Sequence, residues 1–248
     1  MAKQRLDKCL VNSGLAHDIK HAQALLLSGA VLVNDQPRDK AGDLVGSEDT
    51  IRLKNTKAKK GRFVSRGGEK LYGAILDFDI ARSYEGAVAL DIGASTGGFT
   101  DVLLKLGAKK VYALDVGTNQ LAWKLRNDTR VESMEKTDIR MIEGPIDIAI
   151  NQVVADVSFN SLTRLLPSIL KAVPSQDVQF LLLVKPQFEL PSALIPKGGV
   201  VTDVEHHKMA LDIVTDAIES LGLSPCQVLP SRLQGKEGNQ EYFLLFKN

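Results

Sequence analysis

The sequence predicts an α/β protein in two parts: a small mixed module over residues 1–60, then a larger domain over 61–248 built on a mostly parallel sheet. Three observations predict it. Beyond Val64, continuous apolar runs alternate with amphipathic stretches of helical period, the pattern of strands covered by helices on both faces. Leu90 to Asp101 reads Leu-Asp-Ile-Gly-Ala-Ser-Thr-Gly-Gly-Phe-Thr-Asp, an apolar strand that breaks into a glycine turn and reopens as a helix. Ahead of both, the first 60 residues carry their own set of helices and strands and end in a lysine-rich stretch.

In the small module, Leu6, Cys9 and Leu10 recur at helical spacing before Gly14, and Ile19, Ala22, Leu25 and Leu26 before Gly29. Two helices therefore come first, each closed by glycine. A strand Ala30–Val33, a turn Asn34–Pro37 and a strand Thr50–Leu53 follow. Asn55–Gly61, nearly free of apolar residues, is the expected linker. In the larger domain seven strands are expected: Val88–Ile92, Val111–Val116, Val131–Met134, Ile146–Ile150 running on toward Asp156, Val178–Val184, Gln227–Leu229 and Tyr242–Phe246. Helices are expected over 98–106, 118–127, 161–171 and 204–221. The last strand follows the glycine-rich hairpin Gly235–Asn239 and is expected to enter antiparallel.

Composition bounds the function. With 44% hydrophobic and 25% charged residues the chain reads as a soluble globular protein. The longest apolar run, Phe180–Val184, is far short of the ~20 residues that span a bilayer. The start is charged and carries no secretory signal, and Cys9 and Cys226 stand apart without a histidine partner, so a reduced cytoplasmic protein without disulfide or metal is expected. The net charge of +1 hides an asymmetry: residues 1–70 balance to +6 and the remainder to −5. Arg52, Lys54, Lys57, Lys59, Lys60, Arg62, Arg66 and Lys70 are opposed in that stretch by Glu69 alone. Such a run is either an electrostatic footprint for a phosphate backbone or a solvated linker. His206 and His207 are read as a helix-start pair on the surface, because adjacent histidines point about 100° apart on a helix.

The glycine turn carries the first chemistry. Gly93 and Gly97 let the backbone approach a ligand closely, and the helix opening at Phe99 turns its amide ends toward the same place. Asp115, closing a strand Lys110–Leu114, stands where an acidic side chain takes ribose hydroxyls. Gly-x-x-x-Gly-Gly is not the dinucleotide pattern, and no Gly-Lys-Ser/Thr follows. What remains is a ribose-bearing cofactor without phosphate, with S-adenosylmethionine as leading candidate, beside the plainer reading of an ordinary strand–helix turn.

Ligands of open α/β sheets sit at the carboxyl ends of the strands, so polar residues just past those ends are the ones to collect. Lys70 follows Ser65-Arg66-Gly67-Gly68-Glu69, Asp156 ends Val153-Val154-Ala155, Lys185 lies between Leu181–Val184 and Pro186, and Glu241 opens the last strand. For Lys70 and Glu241 taken singly, an exposed charge is as good a reading.

Together these four residues resemble the Lys-Asp-Lys-Glu tetrad of the RrmJ/FtsJ-type ribose 2′-O-methyltransferases. The order of Val64–Leu71, Asp91–Asp101, Ala155–Phe159, Lys185–Glu189, Gly198–Val201 and Gly238–Glu241 resembles one branch end to end, the TlyA-type S4-containing rRNA methyltransferases, often given the name hemolysin. Arg5-Leu6-Asp7, Ala22 through Asn34 and Asp49-Thr50-Ile51 look like the S4 RNA-binding domain. The resemblance implies a Rossmann-like S-adenosylmethionine-dependent methyltransferase sheet of seven strands, with a small α+β S4 domain before it. It implies that Gly93, Ser95, Gly97, Gly98 and Phe99 hold the cofactor's methionine end, Asp115 its ribose and Asp138 its adenine amine. Lys70, Asp156, Lys185 and Glu241 are the expected catalytic residues, and no metal is required. Expected RNA contacts are Arg5, Lys8, Lys20, Lys57, Lys59, Lys60, Arg62 and Arg66.

Small departures are visible. His17-Asp18-Ile19-Lys20 replaces the Ser-Arg usual in S4 domains, which shifts that helix's expected RNA contact to Lys20 or His21; Asn34-Asp35 replaces Asn-Gly. Asn119, Met141-Ile142-Glu143 and Arg232-Leu233 are further departures, the last bearing on substrate fit. In the expected chemistry Lys185 draws the proton from a ribose 2′-OH, Lys70 nearby favours its neutral form, and Asp156 and Glu241 orient the pair. Ribosomal RNA, with cytidine as the target nucleoside, is the implied substrate. An amino-group methyltransferase is disfavoured, since Asp156-Val157-Ser158-Phe159 stands where its Asn/Asp-Pro-Pro-Tyr/Phe element would be. A cytolysin and a ribosome-binding module without catalysis are the alternatives from other classes; the first lacks a long apolar helix or alternating membrane strands.

Overall fold

The computed structural model describes residues 3–27, 29–53, 62–174, 176–223 and 225–248. The chain divides into two compact units, Met1–Lys60 and Gly61–Asn248. Lys57, Lys59 and Lys60, expected as RNA contacts in the linker, lie outside the described residues.

In the first unit the order is β1 (Gln4–Arg5), α1 (Leu6–Asn12), α2 (Ile19–Leu27), β2 (Val31–Val33), β3 (Gln36–Arg38), β4 (Leu44–Val45) and β5 (Ile51–Leu53). Leu6, Leu10, Ala22, Leu26, Val31, Val33 and Val45 form its core. The expected turn at Asn34–Pro37 is tighter than read: Asn34 and Asp35 alone make it, both at positive φ (50° and 64°), and Gln36–Arg38 returns as a strand beside β2. Asparagine and aspartate tolerate that conformation better than most residues, which explains why Asn-Gly is dispensable here.

The second unit continues with α3 (Arg66–Asp77), β6 (Val88–Ile92), α4 (Gly98–Lys105), β7 (Lys110–Leu114), α5 (Trp123–Arg126), β8 (Val131–Met134), β9 (Gln152–Ala155), α6 (Leu162–Lys171), β10 (Gln179–Val184), α7 (Pro186–Glu189), α8 (Val204–Ser220), β11 (Pro225–Pro230) and β12 (Tyr242–Lys247). Its seven strands lie in the order β11-β12-β10-β9-β6-β7-β8. β6 to β10 run parallel, while β12 is antiparallel to both β10 and β11. Alternate residues along each strand feed two cores. Leu90, Ile92, Val153, Phe180, Leu182 and Leu244 meet Leu166, Ile169, Val214 and Ile218 of α6 and α8 on one face. Ala89, Val111, Val154, Leu181, Leu183 and Phe243 meet Leu71, Ile75, Val102 and Leu103 of α3 and α4 on the other. Both faces are thus sealed, and the open surface of the sheet is its edge.

Two expected elements are corrected and one unexpected helix is added. Ile146–Ile150 is not a strand: the Asp147 side chain accepts from the Ala149 amide at 2.9 Å and turns the chain there, leaving Ile148 88% exposed, and the strand begins at Gln152. The helix expected over 118–127 shrinks to Trp123–Arg126, because Asn119 takes φ 55° and breaks the helical path. Helix α3 was not expected at all, since Gly67-Gly68 at its start carry little helical propensity.

Candidate active site

The chain enters the sheet at central β6, moves outward to β7 and β8, then returns to β9 on the other side of β6. The carboxyl ends of β6 and β9 therefore diverge into a crevice, the topological switch point of an open α/β sheet. A cavity of about 340 Å³ lies there, lined among others by Ile92, Gly93, Ser95, Leu114, Asp115, Asp138, Asp156 and Ser158. Its size is within the range of small-molecule sites. No lysine, arginine or histidine is among its lining residues, and three carboxylates are. Hydroxyls, amines and cations suit such walls; a phosphate does not.

The turn after β6 is shaped by close approach. Gly93, at φ 80°, has no room for a side chain, since a Cβ would lie 2.5 Å from the Asp156 carbonyl oxygen. Ser95 follows at φ 48°, and its amide donates to Asp115 Oδ2 at 2.8 Å while the Gly117 amide donates to Oδ1 at 2.7 Å. Asp115 is thus aimed by two backbone amides. Asp138 accepts from the Arg140 amide at 3.0 Å and from its guanidinium, and that cation holds its carboxyl below the usual range. Beneath the turn, Asp91 is fully buried: Oδ2 accepts from Thr100 Oγ1 at 2.6 Å, Oδ1 has no partner, and burial pushes its pKa up to about 7.

Gly97, Gly98 and Phe99 do not line the cavity. A Cβ at Gly97 would meet Leu125 at 2.3 Å, and one at Gly98 would lie 2.8 Å from the Gly68 nitrogen, so these glycines let α4 close against α5 and α3. Phe99 is buried 6.2 Å from the Phe243 ring.

The other half of the edge holds two ion pairs. Lys185, just past β10, lies 2.5 Å from Asp156 Oδ1 and donates to Ser158 Oγ at 2.9 Å. The approach to Oδ1 is off the hydrogen-bond direction, leaving that buried oxygen without an aligned donor. Lys70 of α3 bonds Glu241, their side chains 10% and 4% exposed. Val184 faces Tyr242 across β10 and β12, so Lys185 and Glu241, the next residue on each strand, flank the same step of the sheet. All four tetrad residues are accordingly at this end, each ammonium set against a carboxylate, and neither Lys70 nor Glu241 is the exposed charge the sequence left open.

The loop ahead of Glu241 is fastened to α3: Arg232 forks onto Asp77 at 2.9 and 2.5 Å, and Arg66 donates to the Gln234 carbonyl at 2.7 Å. Arg62 lays its guanidinium over the Tyr72 ring, 3.8 Å from the centroid. In the first unit Lys8 and Lys20 are exposed, while Arg5 is paired with Asp7 at 2.6 Å. His207 is a correction to the surface reading: half-buried, its ring bridges the Tyr242 hydroxyl and the Val201 carbonyl, both at 2.8 Å. Phe159 was missed altogether. It is 89% exposed at the mouth of the cavity with φ 63°, a backbone conformation rare for an aromatic residue.

Among the described residues no helix is long and apolar enough to cross a membrane, and no cluster of three metal-ligating side chains occurs. The model of the FtsJ-like methyltransferase family matches residues 63–248, and that of the S4 domain residues 4–51. The chain is 40% identical to hemolysin A of Brachyspira hyodysenteriae over 98% of its length and 99% of the relative's. It is 41% identical to the 16S/23S rRNA (cytidine-2'-O)-methyltransferase TlyA of Mycobacterium tuberculosis, covering 98% of this chain and 89% of that one. A Streptococcus thermophilus protein solved under a hemolysin name superposes with a TM-score of 0.69 at 39% identity, covering 100% of this chain and 89% of that chain. The chain belongs to the FtsJ-like methyltransferase family, in its S4-containing, TlyA-type branch.

Proposed function

We propose that the protein transfers a methyl group from S-adenosylmethionine to a ribose 2′-hydroxyl of ribosomal RNA in the cytoplasm, with cytidine as the nucleoside, as in the name of the Mycobacterium tuberculosis relative. The observation that carries the reading is the gathering of two ion pairs, Lys185 with the half-buried Asp156 and the buried Lys70 with Glu241, beside a carboxylate-lined cavity free of basic side chains. The cofactor, when bound, supplies an electrophilic methyl group on a sulfonium. Asp115 takes the ribose hydroxyls and Asp138 the adenine amine, while Gly93 and Ser95 give the methionine end its backbone cradle. Gly97, Gly98 and Phe99 act on that cradle from behind, by fixing where α4 begins.

On the RNA side, Lys185 holds the 2′-hydroxyl and takes its proton, Asp156 orients Lys185, and the Lys70–Glu241 pair walls the ribose from the opposite strand. Phe159 offers an open ring face, the kind on which an unpaired base stacks. Phosphate contacts fall to the S4 domain through Arg5, Lys8 and Lys20, and to the basic stretch through Lys57, Lys59, Lys60, Arg62 and Arg66.

The test separates chemistry from binding. In Lys185→Ala, single-turnover methylation of purified ribosomal subunits falls at least ~10²-fold, with cofactor and RNA affinities little changed. In Lys57→Ala and Lys60→Ala, RNA binding weakens in a salt-dependent way and the chemical step is kept. A Lys185→Ala variant with lost RNA affinity and an intact rate would assign that lysine to the phosphate surface instead.

A further inference from the structure

Methyl transfer to a hydroxyl releases one proton per turnover, and a buried amine that collects it needs a way to return it to water. Lys185 is nearly enclosed, its side chain 9% exposed, its neighbours Val184 and Pro186 buried, and the Phe188 ring centroid 5.9 Å from Nζ. One Nζ contact is a carboxylate, Asp156, which is held against the cation. The other is the hydroxyl of Ser158, which stands in an exposed residue at the cavity wall. A hydroxyl accepts and donates at once, so Ser158 takes a proton from Nζ on one side while releasing its own on the other.

The loop that carries Ser158 is fixed from its far end. The buried carboxylate of Glu189 accepts from Ser161 Oγ at 2.6 Å and from the Leu162 amide at 2.7 Å, tying the start of α6 to the short helix that follows Lys185. Between these anchors the Phe159 ring lies 5.6 Å from that of Phe188. The Ser158–Lys185 bond is therefore braced on both strands that supply its partners.

We propose that Ser158 is the proton exit of Lys185, a positioning and relay residue whose role rests on the reading of Lys185 as the base. Before each turnover the Lys185 ammonium gives one proton to Ser158 Oγ as the serine's own proton leaves to bulk water. During turnover the 2′-oxygen bonds to the methyl carbon as the carbon–sulfur bond breaks toward sulfur, and the hydroxyl proton passes to the neutral Nζ. The ammonium is restored, and the net product is one proton in solvent.

The experiment uses the full-length protein with ¹⁵N-labelled lysine, the Lys185 signal being identified by its loss in Lys185→Ala. In Ser158→Ala, hydrogen exchange of the Lys185 Nζ protons slows, and single-turnover methylation falls about tenfold, less than the ~10²-fold of losing the base. Ser158→Thr restores both. Unchanged exchange in Ser158→Ala overturns the exit alone, as does slowed exchange with a wild-type rate. A Lys185→Ala variant that keeps the wild-type rate overturns the base reading, and the exit with it.

Discussion

Along the β6–β7 half of the carboxyl edge, Asp115 is held by two backbone amides, whereas along the β9, β10 and β12 half Asp156 and Glu241 are held by lysine side chains. Backbone donors are set by the fold and carry no net charge, so they fix the Asp115 carboxylate without pairing it to a cation. Lysine partners carry exchangeable protons, so the other two carboxylates sit in ion pairs through which a proton can move. In the proposed function the same side chain type serves recognition on one half and chemistry on the other.

The contrast predicts unequal costs. Removing Glu241 leaves Lys70 buried without its partner, and Glu241→Ala is expected to lower stability by about 3–5 kcal/mol, the range for a broken buried ion pair. Urea unfolding checks it, and a loss below about 1 kcal/mol would make the pair no different from a surface one. On the other half the largest effect is steric: Gly93→Val sets a Cβ 2.5 Å from the Asp156 carbonyl at φ 80°. About 2–4 kcal/mol of stability is expected to go, with cofactor binding, in thermal unfolding and calorimetry.

Asp115→Ala is expected to spare the fold and weaken S-adenosylmethionine by roughly 1.5–3 kcal/mol in calorimetry. Equal affinity in the variant would put the ribose elsewhere. A further effect is graded by pH. The folded pKa of Asp91, about 7, is raised above its unfolded value, so the native state binds more protons between about pH 4 and 7 and stability falls as pH rises through that window. The slope is at most about 1.4 kcal/mol per pH unit, and Asp91→Asn flattens it when urea midpoints are compared at pH 5 and 8.

Much of this was written in single segments. The strand–turn–helix at Leu90–Asp101 and the apolar run ahead of Lys185 are local patterns, and both stand where the sequence put them. What was hidden depends on distance or on side chains acting against the local trend. Lys70 and Glu241 are separated by 171 positions and meet through tertiary packing alone. Gly67 and Gly68 speak against a helix, yet α3 forms there because a Cβ at Gly68 would lie 2.9 Å from the Gly98 carbonyl, and the glycine permits the contact. Ile146–Ile150 alternates like a strand, but an aspartate side chain captures its backbone first. His207 reads as polar and exposed until its two partners, 6 and 35 residues away, are known.

The reversed strand β12 also dictates a timetable. It lies between β10 and β11, so the sheet cannot close until residues 242–247 have left the ribosome and inserted. Until then β10, Gln179–Val184, lacks one of its neighbours and offers an apolar open edge to any other strand in the nascent chain. Glu241 arrives with the strand that covers that edge. The Lys70–Glu241 pair therefore forms only where β12 has covered β10, and a chain stopped short of Tyr242 is expected to leave that edge open and Lys70 without its partner.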